Sequence, residues 1–282
     1  MGPVAALLPG GKRLHLQHGP IDLIIGAHGD RVRAFQAAKA RFETVLEEIV
    51  AELDVLQMAS PSPAVSGQIG QTMQAAAASF NGVFVTPMAA VAGTVADTVL
   101  AAMVAAADLD RAYVNNGGDI ALHLAPGQRF RMAMAGHDGQ TLGQIDIGYD
   151  DPVRGIATSG RHGRSLSLGI ADSVTVLAQS ASAADVAATL IANAVDLPGH
   201  NAIRRRRACE IGDSPDLGDQ LVVTGCGALS ASEAETALNR GLIRARAFQS
   251  QGLITSACLF LNGQSRATDT HYTETRKVPE HA

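Results

Sequence analysis

The chain contains no tryptophan, only three tyrosines and seven phenylalanines, so aromatics make up 4% of it. Single-stranded nucleic acid is gripped by stacking on exposed aromatics, and such platforms are not encoded here. Cysteine is also scarce. Cys209, Cys226 and Cys258 are odd in number, far apart and without CxxC spacing. That excludes a disulfide framework and a cysteine zinc site, and it fits reduced thiols in a cytosol. Positive charge is in deficit: 22 Lys and Arg face 27 Asp and Glu, giving a net charge of -5 and a pI near 6.0. General nucleic-acid binding needs a basic face and is therefore excluded. Long apolar runs are lacking as well. Val4-Ala5-Ala6-Leu7-Leu8 is too short for a signal-peptide core, and its nearest basic residues, Lys12 and Arg13, follow it. The longest apolar stretch, Val83 to Leu109, is interrupted by Thr86, Thr94, Asp97, Thr98 and Asp108 and is expected to be a buried helix. The expectation is a soluble, cytoplasmic protein with no membrane or nucleic-acid partner.

What the chain does have is a large store of small apolar residues. With 282 residues and 46% hydrophobic content, it can bury a core as one large domain or as two fused similar lobes. Arg13–Gln17 and Ile21–Ala27 are expected to be strands joined through His18-Gly19-Pro20. Asp30 then opens a long helix, with Val32, Phe35, Phe42, Val45, Leu46, Ile49 and Leu53 close to helical spacing. A second helix starts at Thr86-Pro87 and runs to about Ala107. Strands are predicted near Tyr113, Arg129–Ala135, Leu142–Ile147, Gly155–Thr158, Ser173–Gln179, Leu221–Thr224 and Leu253–Leu261. Helices are predicted over Ser182–Val195 and from the capping box Ser230-x-x-Glu233 to Gln249. From Asn262 the sequence turns polar and aperiodic, so residues 263–282 are expected to form a flexible tail. Interspersed helices and short hairpin-like strands indicate an α+β fold with mainly antiparallel sheet.

The most informative segment is Tyr113-Val114-Asn115-Asn116-Gly117-Gly118-Asp119-Ile120-Ala121. A β-branched and aromatic run enters a Gly-Gly turn and leaves through an aspartate. One reading is an ordinary hairpin. The other is a turn where a ligand lies close to bare backbone at Asn116, Gly117 and Gly118, with the Asp119 carboxylate beside it. Asp185 and Thr189 form a second candidate site. They are four residues apart, so both side-chain oxygens lie on one helix face and would suit a hard cation such as Mg²⁺. The competing reading has Ser182 cap the helix, with Asp185 as the reciprocal acid of a capping box. Thr158-Ser159-Gly160 follows a strand and either receives phosphate on backbone N–H groups or is a plain turn. His162 and Arg164, just beyond, are candidates for binding phosphate or a ring edge, or for proton transfer, against a solvated loop pair. Gly225-Cys226-Gly227 lacks the third glycine and the following acid of a dinucleotide site. Arg204 to Arg207 are expected to form a solvated face. Cys226 is expected to be a packed small residue, because no histidine adjoins it.

Taken together, these residues resemble the ApbE-like superfamily, whose best-known members are Mg²⁺-dependent FAD:protein FMN transferases. The resemblance rests on four motifs in order. They are Ala89-Ala90-Val91-Ala92-Gly93-Thr94-Val95-Ala96-Asp97, Gly117-Gly118-Asp119-Ile120, Ala157-Thr158-Ser159-Gly160, and Ala184-Asp185 with Thr189. It is closer still to an uncharacterised branch of that superfamily, through Leu16–Leu23, Thr86–Gly93, Ser165–Leu177 and Asp216-Leu217-Gly218-Asp219. The resemblance implies a tandem T-fold of two related lobes within residues 1–262, with a flavin such as FAD, or another nucleotide-type ligand, in the groove between them. It implies Asp185 and Thr189 as Mg²⁺ ligands, with the main chain at Ala92 as a third. Two features of the transferases are missing. No lysine lies within Val91–Asp97, and the His-x-x-Asp-Pro-x-x-Gly segment after the Thr-Ser-Gly turn is replaced by a short stretch, Arg161 to Gly169. Three functions stay open at this point: flavin transfer or FAD hydrolysis, pterin or purine chemistry on a T-fold, and non-catalytic ligand binding. An Ala-rich helix face would also permit a homodimer.

Overall fold

The computed structural model describes residues 2–136, 139, 141–212, 216–269 and 272–274. The chain opens with strands β1 (Val4–Leu7), β2 (Arg13–His18) and β3 (Ile21–Gly29). Helices α1 (Arg31–Ala51), the single turn α2 (Leu53–Leu56) and α3 (Gln68–Ala78) follow. A 3-10 turn at Pro87–Ala90 feeds α4 (Val91–Ala106), then β4 (Leu109–Asn116), β5 (Asp119–Leu124), β6 (Arg129–Ala135), β7 (Thr141–Gly148), β8 (Gly155–Ser159) and β9 (Ser173–Ala178). The remainder is α5 (Ala181–Ala194), β10 (Ile203–Arg207), β11 (Leu221–Cys226), α6 (Ala231–Ser250), β12 (Ser256–Leu261), β13 (Gln264–Ala267) and β14 (Tyr272–Glu274).

Nine strands form one sheet in the order β1-β2-β3-β4-β5-β8-β9-β12-β13, and every neighbouring pair is antiparallel. The α+β, mainly antiparallel reading is borne out. Strands β2-β3, helices α1, α3 and α4, and strands β4-β5 come first; β8-β9, α5, the β10-β11 pair, α6 and β12-β13 come second, and β5 pairs with β8. Period-two alternation then sorts the side chains. Leu14, Leu16, Leu23, Ile25, Val114, Ala121, Ala157, Val176 and Leu259 face the helices in the main core. Leu122, Leu124, Ile156, Leu177 and Cys258 face the other way, under a small sheet of order β14-β7-β6 that adds Ile145, Ile147 and Tyr272.

Helices α4 and α5 approach closely where small residues, Gly93 of α4 and the alanines of α5, meet. On α5, Ala181, Ala184, Ala187, Ala188 and Ala192 are fully buried. These alanines of α5 are covered by this packing, whereas Ala101 and Ala105 of α4 are exposed. One helix among the described residues, Pro87–Ala106, is long and apolar enough to cross a membrane by length and composition. Here Val95, Val99 and Met103 of that helix are fully buried in the core, as expected for the Val83–Leu109 stretch.

Several expectations need correction. The helix start is capped by Ser180, whose hydroxyl accepts the Ala183 N–H at 3.2 Å, not by Ser182. Asp185 therefore lies too far along the helix to serve as a capping-box acid. Arg204–Arg207 are strand residues of β10 and alternate in environment, so they do not form one solvated face. Arg205 is half-buried and pairs with Asp196 and the Leu168 carbonyl, whereas exposed Arg206 and Arg207 reach Glu210 and Asp219. The segment after Asn262 is not all tail. Asn262 and Gly263 both have positive φ, and they turn the chain into β13, which pairs with β12; Tyr272 of β14 is buried. Residues 270, 271 and 275–282 lie outside the described residues.

Gly93 sets how closely α4 approaches α5. A Cβ there would lie 2.2 Å from the Ala181 carbonyl oxygen, a backbone atom that cannot step aside. Gly93→Ala is expected to lower stability in urea unfolding by about 2–3 kcal/mol or more. Gly227→Ala, whose new Cβ would meet the Ala202 side chain at an ordinary 3.5 Å, is expected to stay within about 1 kcal/mol of wild type.

Candidate functional site

Two helix N-termini meet at the middle of the molecule. Each lends its free N–H groups to an aspartate of the other helix. The first turn of α4 has no side-chain cap of its own. Its Gly93 N–H donates to Asp185 Oδ2 at 2.9 Å, and the Ala92 N–H also donates to that carboxylate. In return, Ala181 and Ser182 at the start of α5 donate their N–H groups to Asp97 at 3.0 and 2.9 Å. The first N–H groups of a helix have no partner within it and carry partial positive charge, so a carboxylate is well matched to them. Burial nevertheless dominates. It pushes the Asp97 carboxyl above its usual range despite the N–H groups holding it down.

Asp119 completes the cluster. The register pairs Asn116 with Asp119, so Gly117 and Gly118 form a two-residue hairpin turn, with φ of 67° and 117°. Such angles favour glycine. The Asn115 side-chain oxygen accepts the Gly118 N–H at 2.9 Å and braces the turn. Asp119 sits on the helix-facing side of β5, like Ala121. Burial raises its carboxyl to about 7, against the opposing pull of the Thr158 N–H and the Arg164 charge. Burial also lifts Asp185 well above the carboxylate range, and the Asp119 charge adds to the lift. Two carboxylates more than sixty residues apart in sequence thus lie close enough that each resists ionisation of the other. Both keep partial solvent access.

The other predicted residues distribute unevenly around this pair. Thr189 is one turn beyond Asp185 on α5 and half-buried. The Ala92 carbonyl accepts the Asn116 side-chain amide at 3.2 Å, so buried Asn116 ties the end of β4 to the start of α4. Thr158 and Ser159 belong to β8 rather than to a free turn. The Thr158 hydroxyl pairs with that of Thr175 at 3.0 Å, and its N–H serves Asp119. Gly160 is buried, and a Cβ there would lie 2.6 Å from the Asp172 carbonyl oxygen. His162 does not join the aspartate pair; its Nε2 is 3.2 Å from Asp172, which also binds Arg161. Arg164 reaches back over the hairpin. It donates to the Pro20 carbonyl at 3.1 Å, and its guanidinium lies where a Gly117 side chain would be.

A cleft of about 320 Å³ opens beside the turn, lined by Asp22, Ile24, Asn115, Gly117, Gly118 and Arg164. Asp22, Ile24 and Asn115 had no place among the predicted site residues. The signal was the strand period: in β3, Ile21, Leu23 and Ile25 are buried, which turns Asp22 and Ile24 to the opposite face. Asp185 and Thr189 do not line this cleft. The structure brings together Asp119, Asp185, Ala92 and Asn116 on the helix side, and Gly117, Gly118 and Arg164 on the other, with the turn between.

Fold and site together define an antiparallel α+β protein with an acidic seat at paired helix N-termini. The family model described as AbpE bacteria matches residues 5–267, and the chain belongs to that family. This bears out the resemblance drawn from the ordered motifs. Among curated relatives, the UPF0280 protein of Methanococcoides burtonii is 39% identical over 129 residues, covering 44% of this chain and 51% of that protein. The UPF0280 protein of Methanococcus vannielii is 32% identical over 174 residues, covering 58% and 68%. The chain spans about half the length of the first curated relatives it matches. Among solved structures, flavin transferase ApbE from Vibrio cholerae is 15% identical with a TM-score of 0.44, covering 94% of this chain and 96% of that one.

The raised carboxyls carry a pH dependence whose sign is fixed. An unfolded aspartate titrates near 3.8 and folded Asp119 near 7. Between those values the folded chain holds a proton that the unfolded chain has lost, so stability is fullest at the acid end and falls as pH rises to 7. The melting temperature of the metal-free protein, followed by circular dichroism, is expected to fall from pH 5 to pH 8. In Asp119→Asn that slope is expected to flatten.

Proposed function

We propose that this chain binds a flavin- or other nucleotide-type diphosphate ligand together with Mg²⁺ around the Gly117–Asp119 turn. The observation that carries the reading is the meeting of Asp119 and Asp185. Two half-buried carboxylates this close resist ionisation, and the Arg164 charge near Asp119 offsets that only in part. A divalent cation relieves that repulsion. The donor chemistry fits Mg²⁺: Asp185 has one oxygen beyond the Gly93 contact, Asp119 adds a second carboxylate, Thr189 a hydroxyl, and Ala92 a carbonyl with a remaining lone pair. Among the described residues no group of three or more His, Cys, Asp or Glu could hold a metal. Phosphate oxygens and water would therefore supply the rest of the coordination shell, as is usual for Mg²⁺. When bound, the cation would neutralise phosphate charge.

The protein's own contribution is placement. Asp185 is held by two backbone N–H groups, Asn116 fixes the Ala92 carbonyl, and the Gly-Gly turn lets a ligand approach the main chain. The matching chemistry is attack at a phosphoanhydride. In FAD hydrolysis, water oxygen bonds to phosphorus, the bridging P–O bond breaks, and FMN and AMP depart; in FMN transfer a hydroxyl takes the place of water. Placement of His162 against Asp172, away from the cleft lining, favours a second reading in which the groove binds its ligand without turnover. A pterin or purine ligand is the third. The repeated strand–helix order supports two fused T-fold lobes, and we take the protein to act in the cytoplasm on a small molecule.

Calorimetric titration with FAD is expected to show binding that Mg²⁺ tightens by about tenfold, a 1.4 kcal/mol effect. Asp185→Asn is expected to remove the Mg²⁺ effect while the fold, checked by circular dichroism, persists. Absence of FAD binding at millimolar concentration with Mg²⁺ present overturns the proposal. Release of FMN and AMP by the wild type, lost in Asp185→Asn, would eliminate the non-catalytic reading.

A further inference from the structure

Charge is unevenly spread along the chain. Residues 1–41 hold six Lys and Arg against two Asp, although the whole chain stands at -5. Residues 42–110 hold eight Asp and Glu and no Lys or Arg. The fold gathers part of the basic excess at the end of β3 remote from the Gly117–Gly118 turn. Leu23 pairs with Asn116 beside that turn, and His28 lies five residues further along β3, roughly 17 Å at ordinary strand rise.

Four basic side chains converge at this end. His28 and Arg111 are direct cross-strand partners, so their side chains leave the same face of the sheet. Arg31 opens α1 just after them, and Lys12 lies in the connection from β1 to β2. Partial desolvation, then the charges of Arg111, Arg31 and Lys12, push the His28 imidazole below its usual range, with Asp110 opposing them. The register of β3 with β4 shifts between His28 and Gly29. Gly29 has a φ of 107°, and a Cβ there would lie 2.4 Å from the Asp108 carbonyl oxygen. A bulge of this kind re-aims the side chain beside it, and His28 is exposed.

Both arginines are held in place by uncharged partners. Arg31 Nε donates to the Ala27 carbonyl at 3.0 Å. Arg111 Nη1 donates to the Arg129 carbonyl at 3.0 Å, and its guanidinium lies 5.7 Å from the Phe130 ring centre. Each contact orients a guanidinium without neutralising it and leaves further N–H groups to donate. Lys12, Arg31 and Arg111 set against Asp110 leave two positive charges around His28.

We propose that Lys12, His28, Arg31 and Arg111 form a binding site for a tetrahedral dianion, the phosphate group of a small phosphomonoester. The site is separate from the nucleotide and Mg²⁺ site proposed above and does not depend on it. A dianion cancels the local excess, whereas a carboxylate cancels half of it. Phosphate also offers three terminal oxygens to the two guanidinium groups and the ring, where a carboxylate offers two. The arrested arginines lower the ordering cost of binding. A bound dianion favours the imidazolium form, so His28 takes up a proton as the ligand enters.

The test is proton NMR of the histidine rings in the full chain, without Mg²⁺ or nucleotide and at ionic strength held constant with sodium chloride. Loss of one signal in His28→Gln identifies the His28 ring. Sulfate, a dianion throughout the range, and methyl phosphate are the probes. Both are expected to shift the His28 signal along a saturating curve and to raise its titration midpoint. Acetate is expected to bind about tenfold more weakly. Arg111→Gln is expected to weaken both probes by about tenfold with the circular dichroism unchanged. Arg31→Gln gives the same reading without touching the Phe130 contact, and Lys12→Gln, at an exposed position, a loss of about threefold. A response to both probes no different from that to chloride overturns the inference. So does acetate binding as tight as sulfate, or binding that is unchanged in all three variants. Sulfate binding with methyl phosphate excluded overturns the phosphomonoester and leaves a free inorganic ion.

Discussion

The exchange of carboxylates between two helix N-termini is the constraint on which the remaining geometry hangs. Asp97 of α4 closes the first turn of α5, and Asp185 of α5 closes the first turn of α4. Neither exchange is possible unless the helices almost touch, and Gly93 and the alanines of α5 permit that approach. Once the helices are locked, the strands that precede and follow them are fixed in register. The ends of β4 and β5 then fall beside the α5 start. Asn116 reinforces the arrangement by bonding to the Ala92 carbonyl. Position of the Gly-Gly turn over the aspartates is thus a consequence of helix packing rather than of any property of the turn itself.

The same exchange determines what Asp185 can do. One oxygen is bound to backbone N–H, and the group is held at a fixed angle with little conformational freedom left to lose. Helix N-terminal N–H groups favour the ionised form, yet burial and the Asp119 charge prevail. The result is a poised acid pair. Burial makes both carboxyls hold their protons to higher pH than an exposed aspartate does. Asp97 meets a similar desolvation but has both oxygens bound to α5, so it serves the fold and not a ligand. Two aspartates in similar capping roles differ because Asp97 gives one oxygen to each of two N–H groups of α5, while Asp185 also feels the charge of Asp119 beside it.

Much of this was legible in the sequence because it depends on local chemistry. The Gly117–Gly118 hairpin, the Asp30 and Ser230 helix starts and the Pro87 entry all follow from turn and cap preferences of neighbouring residues. The four motifs in order were enough to indicate the family. What stayed hidden depends on distant partners. Helix α3 has no cap in its own sequence; the Glu52 carboxylate, from fifteen residues away, accepts the Gly67 N–H that precedes it. Ser180 rather than Ser182 caps α5 because the helix starts at Ala181, which puts Ser182 inside the first turn with its N–H on Asp97. The Arg204–Arg207 run looks like a solvated patch until its strand pairing with β11 sends Arg205 to Asp196. The turn at Asn262-Gly263 is a local signal, but the strand after it is half-buried throughout and lacks alternation.

The site residues divide along the same line. Asp119, Asp185 and Gly117 were recoverable because spacing and turn type carry their roles. The cleft side chains were not, because no short-range pattern links Asp22 to Asn115 or Arg164; antiparallel pairing of β3 with β4 and the return of the 161–165 loop over Pro20 bring them together. That division has a functional meaning. The acidic seat sits at paired helix ends, where backbone N–H groups hold Asp97 and Asp185 in place. The cleft is roofed by a loop arginine on the exposed face of a sheet edge, where specificity can change by substitution without disturbing the core. A side chain at position 117 would run into the Arg164 guanidinium at 2.7 Å, and the positive φ of both turn residues favours glycine there.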